Sequence, residues 1–262
     1  MARTAPPDWQ LPDGVDRGLW DYVHDEGIAR RYDQSLAGSA LFSADIPFVR
    51  RHCPGPSALV DLGCGTGRLL LALAADGYSV LGVDLSAEML GMAQAQARSL
   101  GLPVNLLRAN LVHLDALADQ SFDHAACLFS TLGMIVGRDN RRRMLEHAHR
   151  ILRPGGRLVL HVHNRYWHLR DAAGRRWLLG DLWRSVRGHP AAGDRLMPPH
   201  QGLGPMTMHL FTCGEICALL RQVGFEVREV LPVGLDAAGR LTHPCWLGGL
   251  RAYGFLLAAE RR

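Results

Sequence analysis

The residues that could do chemistry begin at Val60-Asp61-Leu62-Gly63-Cys64-Gly65-Thr66-Gly67. The glycines run G-x-G-x-G, so a backbone without Cβ atoms can come close to a ligand. A dinucleotide loop reads G-x-G-x-x-G; here the third glycine comes one residue early. Asp61 stands just ahead of the first glycine. A carboxylate there repels a pyrophosphate and suits a ligand with an ammonium or sulfonium group.

Two further pieces follow the same pattern. Asp84 lies 21 residues after Gly63, where an acidic side chain can accept both hydroxyls of a ribose. Leu85 and Met89 come next and can cover one face of a purine. Asn110 and Leu111 form the third piece. The Asn110 amide oxygen can accept from an adenine amino group while a backbone N–H donates to a ring nitrogen. Each also has a plainer reading: a tight turn for the glycines, a capping neighbour for Asp84, a turn residue for Asn110.

These pieces need elements to hold them at one edge. SALVDLG at 57–63 is a short apolar run ending in glycine, as a buried parallel strand should be. GRLLLALAADG is a helix closed by glycine, and YSVLGVD is a second strand. Ser86 caps a helix to about Leu100. PVNLLRA and SFDHAACLFS are strands three and four. A helix over 139–152 stops at Pro154-Gly155-Gly156, and RLVLHVHN is strand five. FEVREVLPV and RAYGFLLAAE supply two last strands as a hairpin-like edge, behind a helix opened by the capping box Thr212-x-x-Glu215. The alternation predicts a doubly wound, seven-stranded, mostly parallel Rossmann-like α/β sheet, so Asp61, Asp84 and Asn110 fall at successive strand tips. Ligands bind at that carboxyl edge.

The 262 residues suit one domain. The expected division is an N-terminal helical cap at 1–52, a core at 57–164, a helical insertion at 165–208, and a last helix with two strands at 209–262. Two helices are expected within 16–52, carrying Ile28, Tyr32, Leu36 and Leu41.

All 29 basic residues are Arg. The absence of Lys excludes a pyridoxal Schiff base, a Lys-dependent phosphate loop and a protein-kinase site. A net charge of +4 permits RNA as a partner without arguing for it. The six Cys form no C-x-x-C pair, and no metal site is expected. Cys213 and Cys217 read as core. There is no export signal and no apolar run of membrane-spanning length, so a cytoplasmic protein without a membrane partner is expected.

With VDLGCGTG at 60–67, GVDLS at 82–86, FDHAACLFS at 122–130 and ILRPGGRLVLHV at 151–162, the chain resembles the class I S-adenosylmethionine-dependent methyltransferases. The likeness covers 57–164 well and 212–260 loosely. It implies S-adenosylmethionine as cofactor. Asp61 and the loop Gly63, Cys64, Gly65, Thr66, Gly67 would surround the methionine part. Asp84 would hold the ribose, with Leu85 and Met89 beside the base. Asn110 and Leu111 would read the adenine, and Phe129 and Ser130 would line the cofactor near its methyl. Arg31-Tyr32-Asp33 resembles an N-terminal element of the family that lies over the cofactor, which makes Tyr32 a contact. Relatives often carry Asp where Asn110 stands, but an amide still accepts.

The methyl acceptor is expected to be a small molecule, and the oligomeric state is left open. Candidates for a general base cluster after strand five, with His163 and Tyr166 foremost. His161 shares a face with His163, and His209 precedes the capped helix. The segment 165–187 holds six Arg and three Trp: a lid gripping a carboxylate or phosphate, an RNA contact, or helices with Trp buried and Arg solvated. Other readings are a wobble-uridine-type tRNA methyltransferase, a non-catalytic cofactor-binding regulator, and a nicotinamide oxidoreductase, the last opposed by glycine spacing and Asp61.

Overall fold

The strands alternate between two apolar layers. On one face Val60, Leu62, Leu158 and Leu160 meet Met144, Leu145, Ile216 and Leu220. On the other Leu59, Val80 and Val159 meet Phe48, Leu69, Leu73 and Leu90. Successive side chains on a strand point to opposite faces, so these runs can be apolar throughout only if helices cover both sides.

The computed structural model describes residues 6–25, 27, 41–198, 205–236, 239, 241, 243 and 246–262. After a 3-10 turn at Asp8–Gln10 come α1 (Arg17–His24) and α2 (Leu41–His52). The core follows as β1 (Ala58–Leu62), α3 (Arg68–Ala75), β2 (Ser79–Asp84), α4 (Ala87–Leu100), β3 (Asn105–Arg108), β4 (Phe122–Cys127), α5 (Thr131–Met134), α6 (Arg138–Ile151) and β5 (Leu152–His163). A 3-10 turn at Arg165–Arg170, α7 (Ala172–Val186), β6 (Asp194–Met197) and β7 (Met206–His209) precede α8 (Cys213–Val223), β8 (Phe225–Val233), α9 (Gly248–Arg251) and β9 (Gly254–Arg261). Ile28, Tyr32 and Leu36 lie outside the described residues.

The main sheet has seven strands in the order β3-β2-β1-β4-β5-β9-β8, with β9 antiparallel to both neighbours. The doubly wound, mostly parallel sheet is therefore present, and the last two strands pair antiparallel as the expected hairpin-like edge, with β8 outermost. β9 is inserted between β5 and β8. Its run from Gly254 to Ala259 is buried throughout, which suits an interior strand, whereas β8 carries Glu226, Arg228 and Glu229. Charged side chains protect an edge from further pairing.

Two local expectations shift. The 165–208 insertion is not purely helical: β6 and β7 pair antiparallel as a separate ladder. The Pro198-Pro199 pair after Met197 is a turn cue that hides the first of these strands. α6 stops at Ile151, and β5 begins at once, running through Pro154-Gly155-Gly156 with a register shift against β4. The capping expectations hold. Ser86 Oγ accepts from Met89 N, and the Thr212–Glu215 box is reciprocal. No helix among the described residues is long and apolar enough to cross a membrane.

Candidate active site

β1, β2, β3 and β4 all end at one edge, and a cleft of about 770 Å³ opens there. Gly63, Gly65, Asp84, Leu85, Met89, Asn110, Leu111 and Phe129 line it. The three strand-tip pieces expected from the sequence are thus brought together. Cys64, Thr66, Gly67, Asp61 and Ser130 sit in or behind the same loops without lining the cleft, and Tyr32 lies outside the described residues.

The glycine loop is tied to β2: the N–H groups of Gly63 and Cys64 donate to Val83 O at 2.8 and 3.1 Å. Gly63, Gly65 and Gly67 have φ of +87°, +54° and +86°. Side chains are strained there. At Gly63 space also forbids one, since a Cβ would stand 2.5 Å from Thr131 Cγ2.

Asp61 lies under the loop, 3% exposed. Burial pushes its carboxyl up to about 7; Asp84 and Asp45 push the same way, and Arg68 opposes them. Arg68 opens α3 and engages Asp45 of α2 with both Nη atoms, Nη1 at 3.0 Å from Oδ1. Among the described residues three carboxylates thus share one guanidinium at the base of the loop. That imbalance makes the loop a place for a cation.

Asp84 presents its carboxylate to the cleft. Oδ2 accepts from Gly65 N and Oδ1 from Ser86 N, both at 2.8 Å. Burial raises its pKa against those two backbone donors. A carboxylate oxygen has two acceptor sites, so each keeps one for a ligand hydroxyl. Asn110 is more committed than expected: Oδ1 accepts from Val112 N at 3.0 Å, and Nδ2 donates to Asp13 O at 2.9 Å. One lone pair on Oδ1 remains for a ligand.

Phe129 and Ser130 are consecutive non-glycine residues in the left-handed region, with φ of 54° and 61°. Such backbone is costly and persists where its surroundings hold it. Ser130 N donates to His161 O at 3.0 Å, and Ser130 Oγ accepts from His163 N at 3.2 Å. The elbow sets the Phe129 ring into the cleft wall, with the Arg68 guanidinium 5.7 Å from its centroid.

Sequence reasoning missed the roof. Gly14, Val15, Leu19, Tyr22 and Val23 also line the cleft, as do Thr131, Met134 and Ile135. α1 is held over it at both ends. Asp16 caps the helix by accepting from Leu19 N at 2.8 Å, and its other oxygen accepts from Thr207 N at 3.2 Å. Ser86 Oγ donates to Val23 O at 3.0 Å. The available signal was the apolar spacing of Val15, Leu19 and Val23, which marks an amphipathic helix but not what it covers.

The expected bases are placed elsewhere. His163 packs its ring on Tyr253 at 4.8 Å, with Nδ1 3.1 Å from Met208 Sδ, and does not line the cleft. Burial, then His168, lowers its pKa to about 4. Tyr166, on the 3-10 turn, is 36% exposed and also stands away from the cleft. The cause is the stitching of β5 to Ser130, after which the chain turns toward α7 and α9. His161 is buried, and its Nε2 has no hydrogen-bond partner among the described residues. His209 is a packing residue, its ring bridging Asp194 at 2.6 Å and Glu215 at 2.8 Å. Among the described residues no three His, Cys, Asp or Glu are placed to hold a metal.

Residues 59–156 match the methyltransferase-domain family. The chain is 31% identical over 142 residues to a dTDP-3-amino-3,6-dideoxy-alpha-D-glucopyranose N,N-dimethyltransferase of Streptomyces fradiae, covering 54% of this chain and 51% of the relative. It is 34% identical over 140 residues to a demethylmenaquinone methyltransferase of Thermus thermophilus, covering 51% and 61%. The chain therefore spans between about half and three fifths of these curated relatives. A SAM-dependent methyltransferase from Methanosarcina mazei superposes with a TM-score of 0.66 at 26% identity, covering 82% of this chain and 97% of that one.

Proposed function

Because residues 59–156 form a methyltransferase domain with class I S-adenosylmethionine-dependent relatives, we propose that the chain transfers a methyl group from S-adenosylmethionine to a small-molecule acceptor, releasing S-adenosylhomocysteine. The observation that carries this reading is the pair of carboxylates across one glycine loop. Asp61 beneath the loop provides negative charge without pyrophosphate donors, and Asp84 offers free acceptor sites to the cleft. That combination fits an amino acid joined to a nucleoside and disfavours a dinucleotide.

S-adenosylmethionine, when bound, supplies an electrophilic methyl on a positively charged sulfur. The chain's part is to bind, orient and exclude water. Asp84 accepts the ribose hydroxyls on the lone pairs left by Gly65 N and Ser86 N. Asp61, once ionised, attracts the ammonium group through the open glycine backbone. Leu85, Met89 and Leu111 form apolar walls for the purine, and the remaining Asn110 lone pair meets its amino group. α1 closes the roof with Leu19 and Val23. We assign no proton-transfer step to His163 or Tyr166, since neither lines the cleft. An acceptor that is already nucleophilic needs no base.

Two things support a small acceptor: the net charge of +4, modest for a nucleic-acid enzyme, and the sugar and quinone named for the two relatives. We read the chain as one domain, with 1–52 as cap and 165–208 as an insertion beside the core. Calorimetric titration with S-adenosylmethionine, S-adenosylhomocysteine and NAD tests the cofactor. The two adenosyl compounds should bind and NAD should not; NAD binding with neither adenosyl compound bound would overturn the assignment.

A further inference from the structure

α7 half-buries Trp177 and Leu178 but leaves a second set of apolar side chains on its outward face. A helix on a soluble protein turns its apolar stripe inward and its charges outward. Here the buried face carries Asp181, 1% exposed, whose Oδ1 accepts from Gly193 N at 2.7 Å and whose Oδ2 lies 3.4 Å from Arg165 Nη1. Gly174 is buried on the same side, where a Cβ would stand 2.1 Å from His168 O. The outward face carries Leu179, Leu182, Trp183 and Val186, exposed by 72%, 63%, 59% and 74%. Their spacing, i, i+3, i+4 and i+7, makes one continuous stripe. Four large apolar side chains in a row on the surface mark a contact.

The charges around the stripe identify the partner. Arg175, Arg176 and Arg187 are exposed beside it, with no acidic partner among the described residues. Arg187 lies 4.3 Å from the Trp183 ring centroid. The one exposed acid of the helix is Asp171, at its far N-terminus, whose carboxylate caps the helix through Gly174 N. A second copy of this chain, docked face to face, would set arginines against arginines with no acid to pair them. RNA would meet the arginines, but Arg187 already lies over the Trp183 ring, and Leu179, Leu182 and Val186 offer no flat ring for a base to stack on. An anionic bilayer surface satisfies both parts: acyl chains take the apolar stripe, and headgroup phosphates take the flanking guanidinium groups.

We propose that α7 is an interfacial helix that docks this protein on anionic membrane surfaces, lying in the plane of the headgroups. No described helix is long and apolar enough to span, so the contact is peripheral. It departs from the sequence expectation of no membrane partner, which rested on the absence of a span. The docking is independent of the cofactor cleft, since none of these residues lines it.

The test is co-sedimentation of the full chain with phosphatidylcholine vesicles and with vesicles that also contain phosphatidylglycerol, at low and high salt. Binding should appear with the anionic vesicles, be absent with phosphatidylcholine alone, and weaken with salt. L179S/L182S/V186S should abolish it. R175Q/R176Q/R187Q should weaken it about 100-fold, three charges near an anionic surface at about fivefold each. Both variants change exposed residues only, so circular dichroism and S-adenosylmethionine binding should match the parent chain. No binding to anionic vesicles at low salt would overturn the proposal, as would equal binding by the parent and both variants. So would loss, in L179S/L182S/V186S, of a dimer or of RNA binding that the parent shows in place of vesicle binding.

Discussion

Asp61→Asn keeps the volume and an acceptor oxygen of the side chain while removing its charge, and it should move stability and binding in opposite directions. The folded chain holds the Asp61 carboxyl at about 7 against an ordinary value of 3.8, chiefly through burial. The folded pKa is the higher one, so the folded form holds the proton more tightly than the unfolded form. Stability therefore falls as pH rises from about 4 to about 7 and levels off above. At about 1.4 kcal/mol per unit, roughly three units set an upper limit of about 4 kcal/mol by which ionised Asp61 destabilises the fold. The Asn variant escapes this. At about pH 8 it should gain about 2–4 kcal/mol, which for a chain of this size raises Tm by roughly 4–12 °C. The gain should shrink toward pH 5, where the parent carboxyl is already protonated in the folded state. Cofactor binding should show the reverse. Loss of a charged partner for the ammonium weakens it by about 1.5–3 kcal/mol, roughly 10- to 150-fold. In the parent chain affinity should decline below about pH 7, and in the variant that decline should vanish. Paired thermal melts and calorimetric titrations across this pH range read both effects. A Tm difference that does not change with pH, or an Asn variant less stable than the parent at high pH, would refute the reasoning.

Four shorter predictions accompany it. Asp84→Ala should weaken S-adenosylmethionine binding by about 1–3 kcal/mol, since ribose hydroxyls and two backbone N–H groups lose their acceptor; unchanged affinity by calorimetry would misplace the ribose. Gly65→Val adds a branched side chain to the cleft wall at φ of +54° and should abolish cofactor binding in a chain that still folds by circular dichroism; retained binding would refute the loop assignment. Asp16→Ala removes the α1 cap and its tie to Thr207, costing about 1 kcal/mol and speeding cofactor dissociation measured by stopped flow; an unchanged off-rate would mean that α1 is no roof. His163→Gln should leave kcat within about fivefold of the parent, whereas a general base is worth about 100-fold or more; a loss of that size with the fold intact would restore His163 as a base.

What the sequence revealed followed from how local each feature is. The glycine loop, Asp84 and the Ser86 and Thr212 caps are settled within a few residues, and all stand where the strand–helix alternation put them. The roof was hidden because its position depends on distant partners: Asp16 reaches Thr207, and Val23 reaches Ser86. The placement of β9 between β5 and β8 is likewise a long-range pairing, visible locally only as a strand apolar on both faces. The left-handed elbow at Phe129–Ser130 leaves no mark in residue type, because neither residue is Gly or Asn. For α7 the apolar spacing was legible, but its direction was not. Asp181 turns inward because Gly193 N and Arg165 wait for it, and the stripe is forced outward.

The central claim is methyl transfer to a small molecule, and a labelled methyl group follows it directly. The chain would be incubated with methyl-labelled S-adenosylmethionine and an extract of its source cells, then the extract separated into small-molecule, RNA and protein fractions. The account predicts label in the small-molecule fraction and its loss with Asp84→Ala. Label confined to RNA or protein, or none anywhere while calorimetry records bound cofactor, would contradict it.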